Sequence, residues 1–331
     1  MAQNSIDTIV MVYDQLLNDA TVSDEHLEQI RSAAPEAKLI IIRNQEEWNR
    51  RKAEIAPKVQ VLFARRPANW FQQLPNLRWI QQTGAGADWL LQVPRIVESD
   101  IILTNTSGSH AIPISEHVLA LMLSLSRGIC RHIKNQVKHV WDRHGRVFEL
   151  DGATIGLIGV GRIGEKIAEK AKGLNLRILG LRRHPERTLP YVSRMYGPEE
   201  LMELLGLSDW VVIAAALTSE TKGMIGEAEL KTMKQSAFII NIARGPLIVE
   251  HALIDALQQG WISGAGLDVF QNEPLPADSP LWDMDNVIIT PHASNFTPHK
   301  VKRQISIFAD NLQRHQNGQP LLNVVNKQSG Y

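Results

Sequence analysis

Gly159, Gly161 and Gly164 stand at the spacing G-x-G-x-x-G in Gly159-Val160-Gly161-Arg162-Ile163-Gly164. The first glycine permits a tight turn, the second lets the backbone approach a pyrophosphate, and the third lets a helix pack close to a strand. The flanks agree with that chemistry. An apolar run, Ala153 to Ile158, precedes the turn, and a segment rich in Ala, Lys and Glu, Glu165 to Lys172, follows it as a helix. The free N–H groups and positive dipole end of such a helix suit phosphates. A second apolar run, Arg177 to Leu181, ends at Arg182, Arg183 and His184. An acidic residue there would accept bonds from the ribose 2′-OH of NAD, whereas a guanidinium binds a 2′-phosphate bidentately. The pattern favours NADP(H), with NAD(H) possible. Two solvated arginines on a loop are the alternative.

Arg244, Glu273 and His292 supply a second chemistry. Each follows an apolar run or the loop after one, the edge where a doubly wound sheet binds ligands. Reduction of a 2-oxo acid needs a hydride on the carbonyl carbon and a proton on its oxygen. An imidazolium at His292 donates that proton near neutral pH. Glu273 beside it would stabilise the charged ring and fix its orientation. Arg244 would hold the substrate carboxylate and polarise the carbonyl. Spacing alone does not select this trio from a chain with 11 histidines.

The elements that must position these groups alternate. Ile6 to Tyr13, Lys38 to Ile42, Val59 to Ala64, Leu77 to Ile80 and Ile101 to Thr104 read as strands. Ser23 to Ala34 reads as a helix capped by Ser23 and stopped by Pro35. Between two of them Thr83-Gly84-Ala85-Gly86-Ala87-Asp88 is a turn of small residues, a backbone nest suited to a carboxylate. Asn105 to Gly108 is a loop. Ser109 caps a long apolar helix with Pro113 near its first turn, to be buried in a core or a subunit interface. The segment His132 to Arg146 is basic and aromatic, and packing is the plain reading of Trp141. Beyond the central unit, Pro198 to Leu205, Glu227 to Met233, Val249 to Gln259 and Pro298 to Asn317 read as helices. Trp210 to Ala216, Ala237 to Asn241, Gly264 to Phe270 and Val287 to Thr290 read as strands. This rhythm implies α/β architecture with parallel sheets.

Length and composition set the frame. A chain of 331 residues is long for one core, so two domains are expected. Lys+Arg and Asp+Glu are equal at 35 each, which points to neither nucleic acid nor an acidic membrane surface as partner. Cys130 is the single cysteine, so there is neither an intrachain disulfide nor a cysteine metal cluster. The N-terminal segment has no signal-peptide pattern and no apolar run approaches a membrane span, so a cytoplasmic location is expected.

Taken together, these blocks resemble the D-isomer-specific 2-hydroxyacid dehydrogenases, a family that includes glyoxylate/hydroxypyruvate reductases, D-lactate and 3-phosphoglycerate dehydrogenases. The resemblance rests on the Thr83 to Asp88 turn, Asn105-Thr106-Ser107-Gly108 with its helix, and the Gly159 to Gly164 fingerprint. Ile240 to Gly245, Gly264 to Pro274 and Thr290-Pro291-His292 complete it. It implies two Rossmann-like or flavodoxin-like domains with parallel sheets. The substrate domain is discontinuous, 1–104 plus a returning segment 294–331, and the dinucleotide-binding domain, 105–293, is inserted. The active site lies in a cleft closed by hinge motion. The family's substrate-binding arginine falls on Arg244, its acid–base histidine on His292 and its orienting glutamate on Glu273. Its cofactor contacts fall on Arg162, Ile163, Arg182 with Arg183, Ala215, Ile242, Ala243 and Asp268, the last near the nicotinamide amide, beside Arg244 and His292. Its carboxylate nest falls on Gly84, Ala85 and Gly86. The helix from Ser109 resembles the family's dimerisation helix, implying a homodimer, and in some relatives a tryptophan in the region of Trp141 reaches the partner's active site.

Two departures matter. Arg182 replaces the acidic residue of NAD-using members, which favours NADPH and reduction. Ala216 stands where relatives usually carry proline, which should alter loop stiffness more than chemistry. Two other functions compete with a 2-oxo acid reductase: a dinucleotide-sensing, corepressor-like binding protein, and a dehydrogenase of formate or phosphite on the same scaffold. An intact Arg244, Glu273 and His292 set argues for catalysis without excluding the first, and Arg182 argues against the second. Loops around Ala64 to Trp70, Trp89 and Phe296 shape the pocket, so the substrate's side chain is not legible.

Overall fold

The computed structural model describes residues 6–12, 22–65, 67–87, 89–90 and 93–328. Tyr13, Arg66 and Asp88 lie outside them. The chain forms two compact units, Met1–Ser109 with Thr297–Tyr331, and His110–Phe296.

The first unit contains β1 (Thr8–Val12), α1 (Asp24–Ala33), β2 (Lys38–Ile42), α2 (Gln45–Ile55), β3 (Val61–Ala64), β4 (Trp79–Gln82), the single turn α3 (Pro94–Val97) and β5 (Ile102–Thr104). Its five strands pair in parallel in the order β2-β1-β3-β4-β5. Helices cover both faces, so β1 and β3 are buried along their whole length and read as unbroken apolar runs. One face is closed by α1 together with the chain's last helix, α10 (Lys300–Gln316). Val301, Ile305, Phe308 and Leu312 recur at helical spacing and are buried, and Phe308 stacks on Phe63 with ring centroids 4.8 Å apart.

The second unit contains α4 (Ala111–Ser126), α5 (Ile129–Val137), β6 (Thr154–Ile158), α6 (Arg162–Lys172), β7 (Arg177–Leu181), β8 (Arg194–Tyr196), α7 (Leu201–Leu207), β9 (Trp210–Ile213), α8 (Glu227–Thr232), β10 (Phe238–Asn241), α9 (Glu250–Gln258), β11 (Gly264–Leu267) and β12 (Val287–Ile289). All pairings are parallel and the order is β12-β11-β10-β9-β6-β7-β8. The path of the chain reverses between β6 and β9, the switch point at which such sheets open a crevice beyond the strand ends. The α/β architecture with two parallel sheets is the one expected.

Several local expectations change. Residues 105–109 belong to the first unit, because the Asn105 amide donates to the Asn323 carbonyl at 3.1 Å and Asn323 Nδ2 donates to that of Ser107 at 3.0 Å. The long helix starts at Ala111 behind His110, with no side-chain cap, so Ser109 is not its cap. The apolar run from Trp210 stops being strand at Ile213. Helix α2 and strand β8 carry no clear sequence pattern: α2 buries only Trp48 and Ile55, and β8 has 3 residues. Trp141 is not packed within this chain, being 93% exposed. Among the described residues no helix is long and apolar enough to cross a membrane.

Candidate active site

The first turn after β6 crosses the loop after β9 very closely. Gly159 has φ of 97°, and a Cβ there would lie 2.5 Å from the Ala215 amide nitrogen. Gly161 is the N-cap of α6 and brings no side chain to the helix N–H groups. A Cβ on Gly161 would meet nothing within 4 Å among the described residues, so no neighbouring side chain crowds the turn at that point. Arg162 is exposed and Ile163 half-buried in the first turn, while Gly164 is buried.

Arg182 follows β7 and is half-buried, and its Nη1 is buried with no hydrogen-bond partner among the described residues. A guanidinium nitrogen in that state is costly, and an anion supplies what it lacks. Arg183, by contrast, pairs with Glu220, both substantially exposed. The open helix terminus and the orphaned Arg182 nitrogen together fit a phosphorylated dinucleotide. The loop carrying Ala216 is held by hydroxyls: Thr221 Oγ1 donates to the Ala216 carbonyl at 2.7 Å and accepts from the Thr218 amide at 2.8 Å. That bonding supplies stiffness to the loop.

After β10, Asn241 folds its side chain over the next turn. Its Oδ1 accepts from the Ala243 amide at 3.1 Å and its Nδ2 donates to the Arg244 carbonyl at 3.0 Å. Ile242 is buried and Ala243 half-buried within this turn. Arg244 Nη1 donates to the Ala243 carbonyl at 2.8 Å. A Cβ on Gly245 would sit 1.9 Å from the Phe270 carbonyl, so the Arg244 turn lies directly against the loop after β11. In that loop the Phe270 amide donates to Glu273 Oε1 at 3.1 Å, and Glu273 Oε2 lies 2.8 Å from His292 Nδ1. The structure thus brings Glu273 and His292 into direct contact, with Arg244 on the adjoining loop.

His292 has φ of 53°, in the left-handed region, where a non-glycine residue needs support. Asp268 provides it. The aspartate is fully buried, and its backbone carbonyl accepts from the His292 amide at 2.8 Å. Its carboxylate accepts from the Thr290 hydroxyl at 2.6 Å, the Ala293 amide at 2.8 Å and the Ser294 amide at 3.1 Å.

In the first unit the 83–87 turn is braced from behind. Thr106 Oγ1 and Gln304 Nε2 donate to the Thr83 carbonyl at 2.5 and 2.6 Å. The Thr106 amide donates to the Gly84 carbonyl at 3.2 Å, Asn105 Nδ2 to that of Ala85 at 2.8 Å and Gln82 Nε2 to that of Gly86 at 2.5 Å. With the carbonyls engaged, the N–H groups of Gly84, Ala85 and Gly86 meet no acceptor among the described residues. Among the described residues no cluster of His, Cys, Asp and Glu could hold a metal ion.

Residues 119–294 match the family described as D-isomer specific 2-hydroxyacid dehydrogenase, NAD binding domain. A glyoxylate reductase of Pyrococcus furiosus is 37% identical over 279 residues, 82% of this chain and 82% of that protein. The chain belongs to the D-isomer specific 2-hydroxyacid dehydrogenase family. It is similar in structure to the family member from Xanthobacter autotrophicus Py2 solved with NADPH and MES, with a TM-score of 0.83, 27% identity, and 99% and 100% of the two chains covered. The NADPH-dependent glyoxylate/hydroxypyruvate reductase of Sinorhizobium meliloti, solved with NADP and sulfate, gives 0.80 and 25%, covering 98% and 100%. The protein is an NAD(P)-linked 2-hydroxyacid dehydrogenase.

Four features of this dehydrogenase escaped the sequence reading. Asn241 and Thr290 are hydrogen-bonding anchors, Asp268 is the buried support of the His292 turn, and His117 of α4 reaches Thr290 at 3.0 Å. The available signals were a polar Asn241 closing an apolar strand and His117 interrupting an apolar helix. Gly245→Ala forces the Arg244 and Glu273 loops apart. Turnover in that variant is expected to fall on the order of a hundredfold, with circular dichroism unchanged, as a steady-state assay on the purified variant checks.

Proposed function

We propose that this dehydrogenase works as a reductase of a small 2-oxo acid such as glyoxylate or hydroxypyruvate, forming the 2-hydroxy acid, in the D configuration where the new carbinol carbon is a stereocentre, with NADPH as the favoured cofactor and NADH possible. The observation that carries the reading is the contact between His292 Nδ1 and Glu273 Oε2 at 2.8 Å. It ties up one ring nitrogen and leaves Nε2 as the proton donor. When bound, the reduced nicotinamide supplies a hydride to the carbonyl carbon. His292 gives the proton to the carbonyl oxygen from Nε2, and Glu273 stabilises the ring while it is charged. Arg244 binds the substrate carboxylate and draws charge toward the carbonyl oxygen. We assign carboxylate binding also to the N–H groups of Gly84, Ala85 and Gly86. Phosphates fall to Gly159, Gly161, Gly164, Arg162 and Ile163, and the adenosine ribose with its 2′-phosphate to Arg182 and Arg183. Ala215, Ile242, Ala243 and Asp268 are assigned to the rest of the dinucleotide. The names of the Pyrococcus and Sinorhizobium relatives support the substrate class, and the latter's name supports NADPH.

A homodimer belongs to the same reading. On α5 Ile129, Ile133 and Val137 are exposed at successive helical turns, continued by Val140 and Trp141, and α4 adds Ile112 and Leu123. Exposed large apolar side chains recurring along one helix mark a protein interface, and a second copy of the chain is the occupant the family suggests. A single cysteine fits the reducing cytoplasm as its location.

His292→Ala is expected to lower kcat by about two orders of magnitude or more with either 2-oxo acid. Near-normal turnover would remove His292 from the mechanism. For Arg182→Asp, kcat/KM with NADPH should drop far more than with NADH. Equal losses would argue against a 2′-phosphate contact. Light scattering on size-exclusion peaks should give twice the chain mass for the wild type and the monomer mass for Ile133→Asp combined with Val137→Asp. A monomeric wild type would refute the dimer.

A further inference from the structure

The polar contacts around the His292 turn have a direction that can be worked out from proton counting. Thr290 has one hydroxyl proton. Its Oγ1 lies 2.6 Å from Asp268 Oδ1, and a carboxylate only accepts, so the threonine donates there. The same oxygen lies 3.0 Å from His117 Nε2, with its proton already committed. His117 must therefore donate, which fixes its tautomer as the one protonated on Nε2. Burial lowers the pKa of His117, so the ring is neutral at pH 7 and still able to give that one bond. The chain of donation runs from His117 to Thr290 to Asp268. The other acceptor positions of Asp268 take the amides of Ala293 and Ser294.

This chain encloses His292. Thr290 lies two residues before it, and the Ala293 and Ser294 amides follow it. The His292 amide is held by the Asp268 carbonyl while its φ stays at 53°. A turn held in the left-handed region by hydrogen bonds on both sides relaxes when one anchor is lost. The ring nitrogen then moves relative to the carbonyl oxygen it must protonate. His117 is carried by α4, a helix of 16 residues packed through Val118, Leu121 and Met122 in the core of the same unit. The helix gives the turn a fixed external reference that its own short strand, β12 with 3 residues, does not provide.

We propose that His117 is a positioning residue for the acid–base histidine, acting through Thr290 and Asp268 to hold the His292 turn in its productive conformation. The proposal rests on the reductase reading. It differs from the reading of His117 as a satisfied core histidine, for which removal would cost stability and leave kcat intact.

The test compares His117→Phe, His117→Gln, Thr290→Val and the His117→Phe/Thr290→Val double variant with the wild type, using NADPH with glyoxylate and with hydroxypyruvate. Glutamine places an amide N–H close to the position of imidazole Nε2 and keeps the donor; phenylalanine fills the space without one. The expected result is a loss of kcat on the order of ten- to a hundredfold for His117→Phe and Thr290→Val, with the NADPH dissociation constant, read by fluorescence, unchanged. His117→Gln should recover most of that loss, and the double variant should be no slower than the worse single variant. Wild-type kcat in His117→Phe, equal losses for Phe and Gln, or losses that multiply in the double variant would each overturn the proposal. Backbone amide exchange at Ala293 and Ser294, which needs no turnover, separates the two levels of the argument. Faster exchange in His117→Phe, absent in His117→Gln, supports the positioning network even if neither 2-oxo acid is turned over, in which case the reductase reading fails alone. Unchanged exchange in His117→Phe refutes the network.

Discussion

A carboxylate sealed from water has to find all its hydrogen bonds inside the protein, and that of Asp268 shapes everything around it. Burying such a charge without compensation costs several kcal/mol. Here the compensation comes from the Thr290 hydroxyl and the Ala293 and Ser294 amides, so the chain after β12 has to curl around the aspartate. The curl leaves His292 in a conformation that a β-carbon disfavours, and it turns the ring to face Glu273. The contact between His292 and Glu273 follows from satisfying one buried carboxylate.

The second requirement is that the loops converge. Parallel strands joined by helices put every strand-to-helix loop at the same edge of the sheet, so the turns after β6, β9, β10, β11 and β12 share one rim by topology alone. What topology leaves open is how closely they approach. Two positions without side chains decide that: Gly159 lets the turn after β6 touch the Ala215 loop, and Gly245 lets the Arg244 turn touch the Phe270 carbonyl. Polar anchors then fix the orientation, Asn241 for the arginine and the Phe270 amide for the glutamate.

Much of this was written in the order of residues, and the physical reasons for the rest are specific. Strands covered on both faces are continuous apolar runs, so β6, β9 and β10 stand out. The same rule overextends β9 through Ala214 to Ala216, which are apolar but already loop. Helix α2 is hard to see because its polar composition surrounds two buried residues, and β8 because three residues carry no periodicity. Arg244, Glu273 and His292 are chemically able residues after strands, and it took their resemblance to a known motif set to single them out. The supports of that set stayed hidden because they are pairings across long separations. His117 and Thr290 lie 173 residues apart, and a lone histidine in an apolar helix has no pattern that names its partner. The half-buried Arg182 is visible as a basic residue in the sequence, whereas its unpaired nitrogen exists only in three dimensions.

The way the first unit is closed also sets a timetable for synthesis. Strands β1, β3 and β4 leave the ribosome well before α10, yet the face they share is sealed by Phe308 and its neighbours on that helix. Gln304 reaches the Thr83 carbonyl across 221 residues. The inserted unit, His110–Phe296, is contiguous and can complete its own core as it emerges. The host unit therefore waits, with apolar sheet uncovered, until the last helix has been made. Its exposure to aggregation and to chaperones is longest while its guest is already folded.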